Sequence, residues 1–394
     1  MRAANIAVFV LVIAAGQTLA QADKTSVEPL FEFLRKHAAF TQEELAGLKD
    51  GKPVIRVLPE RDKRETSVIG VVQVSPNAGL DLARFRESIG QRTNPSRSGG
   101  GPIGVPPQIS DLEGFRLDAK DVEDLRKCLP GKCGVKLSPQ MIKSLSEKPD
   151  LASASSGDIA AAYKQMIIDY VAGYIARGDE ALIEYDSPRK PVRLVEEYAA
   201  IYGMPNLPDL LTPEFGKHLR TFPNKLNGVE DRFDWAIVET GLRPIFSVTH
   251  SSAYTKGTTE ANVFMLATKQ IYASHYIDAT LAVFTLVISN TGETPTGYLI
   301  FSNTSRSTAL AGVFGGIVHT VAEGQADERV RELLVRAKTK LEANSQHREE
   351  VSNDDAAVSV TTASDKLANN WIYAVIAAAL AAIAAYFLFR RKRS

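Results

Sequence analysis

The chain has 394 residues, 46 of them basic and 46 acidic, with 44% apolar and 8% aromatic residues. That composition is ordinary for a globular protein and excludes a disordered, collagen-like or many-helix membrane chain. Two cysteines exclude a disulfide-dense scaffold and a four-thiolate metal site.

Residues 1–22 read as a signal peptide: Arg2 gives a basic start, Ile6–Gly16 an apolar core, and Ala20-Gln21-Ala22 a small-x-small exit. Cleavage is expected after Ala22, with Ala20 as the alternative site; an uncleaved anchor is the competing reading. No cysteine lies near that exit, which excludes a lipid-modified N-terminus.

Residues 23–150 form an N-terminal α+β region. The spacing of Leu30, Phe31, Leu34 and Ala38 predicts a helix over 28–38, and Thr41 with Glu44 a capping box opening a second. The segments 52–58 and 66–74 are strand-like and predict a hairpin. The stretch 91–110 is rich in Pro, Gly and Ser and predicts a loop with no strand before it. Its Gly99-Gly100-Gly101-Pro102-Ile103-Gly104 therefore lacks the strand–turn–helix setting of a dinucleotide fingerprint. Two helices follow, capped by Asp118 and Ser138.

A second α+β domain spans 151–343. Ile159, Tyr163, Met166, Ile167, Tyr170 and Tyr174 recur at helical spacing over 157–177, and Gly178 stops that helix. A short strand is predicted over 181–185, then helices over 192–202 and from Thr212 to before Pro223. Five Val/Ile/Thr/aromatic-rich runs, 233–240, 244–253, 263–277, 279–289 and 298–303, predict an antiparallel meander. Helices over 308–322 and 326–343 close the unit. Residues 344–370 read as a flexible polar linker, 371–389 as a transmembrane helix of 19 uncharged residues, and 390–394 as a basic tail. Trp371, Tyr373 and Tyr386 suit the interfaces, and the basic tail fixes the cytoplasmic side. A buried core helix is the competing reading of 371–389. The expected fold class is α+β, an antiparallel β-meander with flanking helices plus a C-terminal single transmembrane helix.

Taking Arg2 and the four basic tail residues from 46 leaves 41 basic against 46 acidic residues, a net of −5 for the exported body, which argues against nucleic acid as a partner. Alanines at 374, 378 and 382, with those at 377, 381 and 385, form small-xxx-small stripes through which the span would form a homo-oligomer; the competing reading is that alanine is merely tolerated there.

Cys128 and Cys133 flank the turn dipeptide Pro130-Gly131, which favours a structural disulfide in an exported protein. A redox dithiol is the weaker alternative, because the spacing is not Cys-x-x-Cys. The run 269–276 holds the densest set of reactive side chains. Alternation on a strand places Lys269, Ile271, Ala273 and His275 on one face and Gln270, Tyr272, Ser274 and Tyr276 on the other. His250, on the preceding strand, would meet a second imidazole across strands. His250, His275, Lys269 and Ser274 are the candidate catalytic residues, though Gly-x-Ser-x-Gly and His-Glu-x-x-His patterns are absent. With no third ligand visible, no metal is expected, and no cofactor motif is present. Ser305 or Ser307 would cap the helix after the last strand, with Arg306 beside free N–H groups suited to an anion. Tyr272, Tyr276, Asn303 and Arg306 are thus candidate ligand-binding residues for an apolar or anionic small molecule. His218, His319 and His347 have no partner that the sequence identifies.

Asp-Lys-Arg-Glu (62–65), Cys-x-Pro-Gly-x-Cys-x-Val-Lys-Leu (128–137), Lys-Gln-Ile-Tyr-Ala-Ser-His-Tyr (269–276) and Tyr-Leu-x-x-x-Asn-x-Ser-Arg (298–306) resemble a family of uncharacterised exported bacterial proteins over roughly residues 45–340. The resemblance implies no activity. The element order also loosely resembles START-like helix-grip domains, although Gly315-Gly316 argue against one unbroken closing helix. The expected location is the bacterial cytoplasmic (inner) membrane, single-pass, with the body on the periplasmic or extracellular side. The expected role is a non-enzymatic ligand- or partner-binding module of the cell envelope. The alternatives are an envelope hydrolase using the 247–276 strands, and a structural, self-associating membrane protein.

Overall fold

The computed structural model describes residues 28–343, apart from positions 78 and 309 and the segments 91–98, 149–152, 188–189, 239–242, 258–260, 290–294 and 311–314. The expected signal peptide (1–22), linker (344–370), span (371–389) and tail (390–394) lie outside the described residues. No helix among the described residues is long and apolar enough to cross a membrane.

The elements in chain order are α1 (Glu28–Ala38), α2 (Gln42–Gly47), β1 (Val54–Leu58), β2 (Glu65–Val74), α3 (Leu82–Ser88), β3 (Gly100–Ile103), α4 (Ala119–Arg126), α5 (Pro139–Ser146) and α6 (Ser156–Arg177). They continue with β4 (Glu184–Tyr185), β5 (Val192–Arg193), α7 (Leu194–Tyr202), α8 (Leu207–Leu210), α9 (Pro213–Thr221), β6 (Glu230–Val238), β7 (Ile245–Gly257), β8 (Ala261–Ala273), β9 (Ala279–Ser289), β10 (Thr296–Arg306) and α10 (Gly315–Glu342). Eight strands form one antiparallel sheet in the order β1-β2-β10-β9-β8-β7-β6-β3. The fold is α+β, as the element pattern predicts.

Local signals set most boundaries. The Thr41–Glu44 capping box opens α2, and Ser155 with Asp158 opens α6 in the same way. Asp118 and Ser138 cap α4 and α5. Gly178, at φ 59°, ends α6, where an added Cβ would fall 1.7 Å from the Phe222 carbonyl oxygen.

Four features depart from expectation. The division at residue 150 does not separate two sheets: β2 pairs along its whole length with β10, so the N-terminal hairpin extends the later meander. The expected loop over 91–110 contains a strand, β3, at the sheet edge beside β6. Pro102 is tolerated there because an edge strand need not donate outward. The segment 181–185 keeps only two strand residues, which pair with Val192 and Arg193. Finally, the two expected closing helices are one: α10 begins at the Gly315-Gly316 pair and runs unbroken through Gly324 to Glu342, because a single interior glycine costs only about 1 kcal/mol of helix propensity.

Both sheet faces are covered. On one face, α4–α7 and α9 bury Tyr163, Tyr198 and Phe215 against Phe246, Met265, Val283 and Ile300. On the other, α3 and α10 pack Phe85, Val330 and Leu334 on Leu266, Phe284, Leu299 and Phe301. Gly70 lets α10 approach β2 closely: a Cβ there would meet the Leu334 side chain at 2.8 Å.

Cys128 and Cys133 form a disulfide with a Cα–Cα distance of 4.4 Å. Closing so short a loop restricts the unfolded chain by about 2 kcal/mol. The Cys128→Ala/Cys133→Ala pair is therefore expected to lower unfolding free energy by about 2 kcal/mol in urea titrations. Unchanged stability would mean that the turn, with Gly131 donating to Asp186, holds the loop by itself.

Candidate functional site

The residues of the 269–276 run do not act together. A β-bulge sets Ile271 opposite the junction of Val248 and Thr249. Alternation reverses there, so Tyr272 joins Lys269 on the α6 side, contrary to simple alternation. The Lys269 ammonium pairs with Asp179 and lies 4.4 Å from the Tyr198 ring centroid and 5.4 Å from that of Tyr202. Burial pushes its pKa down. Tyr272 is fully buried, bonded at 2.9 Å to Tyr163 and donating at 2.8 Å to the Lys136 carbonyl, and is a core residue rather than a cavity wall.

Ser274 accepts from the Phe246 N–H at 3.0 Å and donates its own N–H to the Phe246 carbonyl at 2.9 Å, sealing the strand end. His275 sits beyond the strand, 3.0 Å from Asp121, which also pairs with Arg243. His250 is opposite Lys269 in the sheet and engages Asp231, so the two imidazoles expected to meet bind different carboxylates. Tyr276 adopts φ 55° outside the strand, and its carbonyl accepts from Ser307.

Arg306 is not an open anion receptor. Strand β10 continues through it, so no helix N-cap forms at Ser305. Its guanidinium lies on the α6 side, 2.6 Å from Glu197, 2.8 Å from Glu65 and 2.7 Å from Asp62. Arg64 bonds Glu197 and Asp62, and Arg61 bonds Glu65, giving three cations and three anions. The expectation of a free arginine fails because Asp62 in the turn before β2, Glu65 of β2 and Glu197 of α7 claim every edge of it.

Asp231 organises a cluster that sequence spacing hides. Its Oδ1 lies 3.1 Å from His218 Nε2 and 2.9 Å from His250 Nε2, and accepts from Ser252 at 2.6 Å. His218 Nδ1 faces the Asn224 carbonyl at 3.0 Å. Both His218 nitrogens thus face acceptors, which requires the imidazolium form. Burial opposes that charge, but the Asp231 carboxylate outweighs it and raises the His218 pKa. His250 Nδ1 instead meets the Tyr174 hydroxyl at 3.0 Å, a group able to donate, so His250 is neutral with its proton on Nε2. Burial lowers its pKa accordingly. Against the pull of desolvation, the two imidazoles and Ser252 hold the Asp231 carboxyl well below the usual carboxylate range. Among the described residues no group of three or more His, Cys, Asp or Glu is arranged to hold a metal ion.

The opposite face, shared with α10, carries a different site. Ala253, Leu266, Phe284 and Phe301 give way along the strands to polar residues. Register aligns Ser251, Thr268, Ala282 and Asn303 across four strands, with Asp234, Thr249 and Gln270 in the adjoining row. Asn303 Nδ2 donates to Ser305 at 3.2 Å, which also accepts from Thr280 at 3.1 Å. Gln270 Nε2 donates to Ser247 at 2.9 Å. The Asn303 and Gln270 amide oxygens, on residues only 4% and 2% exposed, have no hydrogen-bond partner among the described residues. Desolvation pushes the Asp234 carboxyl up to about 6.

Buried unpaired amides destabilise a fold, and sites that bind something commonly carry such a burden. Asn303→Leu, close in volume, is expected to raise unfolding free energy by about 1 kcal/mol in urea titrations. A loss of similar size would show that the amide is already satisfied in the folded chain. Of the expected ligand-binding residues, Asn303 holds a buried amide oxygen with no partner among the described residues. No family model, curated protein or solved structure matches the chain.

Proposed function

We propose that this protein is an exported, membrane-anchored envelope protein whose body is a non-enzymatic module binding a small polar ligand on the sheet face shared with α10. The observation that carries the reading is the pair of buried amide oxygens on Gln270 and Asn303, without a partner among the described residues and set in a field of serine and threonine. Binding sites present a few convergent polar groups that the fold itself leaves unused. Neither an apolar nor an anionic ligand suits this face. Its floor is polar, and Arg306 lies on the opposite side, held by three carboxylates.

Export and anchoring rest on the two ends of the sequence. Alkaline phosphatase inserted after Gly178 is expected to be active, and an inactive, cytosolic fusion would overturn the placement. Binding is tested by native mass spectrometry of the full-length protein taken from its own envelope. The expected result is a retained small molecule in the wild type and none in Asn303→Leu.

An envelope hydrolase is the second reading, favoured by Ser252 Oγ lying 3.3 Å from His250 Nε2. That nitrogen already directs its proton to Asp231, and Ser252 donates to the same oxygen, so His250 is not placed to take the serine proton. Labelling of Ser252 by a fluorophosphonate would revive the hydrolase.

A further inference from the structure

The chemistry of the polar face narrows the ligand class, an inference that rests on the binding role just proposed. We infer that the face takes an uncharged, polyhydroxylated molecule of the sugar or polyol type, held between Gln270 on β8 and Asn303 on β10. These strands are two apart in the sheet, with β9 between them. Strand spacing puts about 10 Å between them, and Gln270 lies two positions further along than Thr268, which shares a row with Asn303 through Ala282. That separation between the two strands is of the order of one small ring with its substituents. Ala282 gives the floor its smallest side chain where the ligand would lie.

Charge excludes the alternatives. Among the described residues, the nearest carboxylate that the sheet carries on this face is Asp234, on β6, two strands from Gln270 and four from Asn303. An ammonium seated between the two amides would be desolvated with no counter-charge in reach among the described residues. A carboxylate or phosphate would meet two oxygens of its own polarity with the amides as they stand, and with them turned would find no free cation among the described residues to neutralise it, because Arg86, the buried cation of α3, is bonded to Glu230. A hydroxyl both donates and accepts. The surrounding groups, Ser251, Thr268, Thr280 and Ser305, do likewise, and each amide can turn end for end. A polyol therefore satisfies the face with either amide orientation, which no purely donating or purely accepting ligand does.

The test is thermal shift and titration calorimetry on the full-length protein, purified in a detergent without a sugar headgroup. The probes are glucose, N-acetylglucosamine, myo-inositol and glycerol, with spermidine and citrate as charged arms. At least one neutral probe is expected to raise Tm by about 5 °C at a hundredfold excess over its Kd. Gln270→Leu and Asn303→Leu are each expected to weaken that binding at least tenfold while their own Tm equals or exceeds that of the wild type. Binding by spermidine or citrate alone, lost in the same variants, would overturn the ligand class and leave the binding role standing. No response to any probe, together with a bare chain in native mass spectrometry, would overturn both.

Discussion

Replacing Arg306 by methionine is expected to lower unfolding free energy by about 3–5 kcal/mol. Glu65 is 1% exposed, and with Glu197 it is buried against this guanidinium. Removing the cation leaves both carboxylates in a medium that solvates them poorly, with only Arg61 and Arg64 beside them, each on the outer side. Desolvation works against the charged Arg306, yet Glu197 and Asp62 raise its pKa above the ordinary arginine value. Asp62 is correspondingly held well below the usual carboxylate range by Arg64 and Arg306. Arg306→Lys is expected to recover less than half of the loss, because an ammonium cannot make three directed contacts in one plane. Removing Arg306 and Glu65 together is expected to be less damaging than the sum of the two single changes. Urea titration of the four proteins decides it. A loss under 1 kcal/mol for Arg306→Met would mean that water reaches the cluster.

The same cluster explains what the sequence left unread. Helix α1 and the strands of the meander follow from hydrophobic spacing, which is local. Arg306 binds Glu65 across 241 positions of chain, and nothing local at either residue announces the other. The insertion of β2 beside β10 is equally non-local, so the N-terminal hairpin looked like part of a separate unit. The bulge at Ile271 reverses the faces of the run 269–276, and a bulge has no side-chain signature in an apolar strand. Strand β3 is built from Gly100, Gly101, Pro102 and Ile103, three of which oppose strand propensity; edge position overrides them. The polar character of the run 269–276 is legible in the sequence, but not that Gln270 lies buried on one face with Thr249 and Ser251.

Asp231→Ala is expected to destabilise the fold by about 3–5 kcal/mol near pH 6, since it strips one acceptor from the His218 imidazolium, the His250 N–H and the Ser252 hydroxyl together. The pH dependence follows from the directions of the two shifts. The folded His218 pKa is raised above its ordinary value, so its contribution is fully present below about pH 6.5 and fades as pH rises through the raised pKa. The folded Asp231 pKa is depressed, so its contribution is present above about pH 4 and is lost only as acid drives pH through the lowered value. The pair therefore stabilises most between about pH 4 and 6.5 and weakens on the alkaline side. His218→Gln keeps a hydrogen-bonding side chain without the charge and is expected to cost about 1.5–3 kcal/mol at pH 5.5 and much less at pH 9. Unfolding free energies of wild type and His218→Gln across pH 5–9 measure this directly. Parallel curves would mean that His218 is neutral throughout, and the proton assignment forced by the Asn224 carbonyl and the Asp231 carboxylate would be wrong.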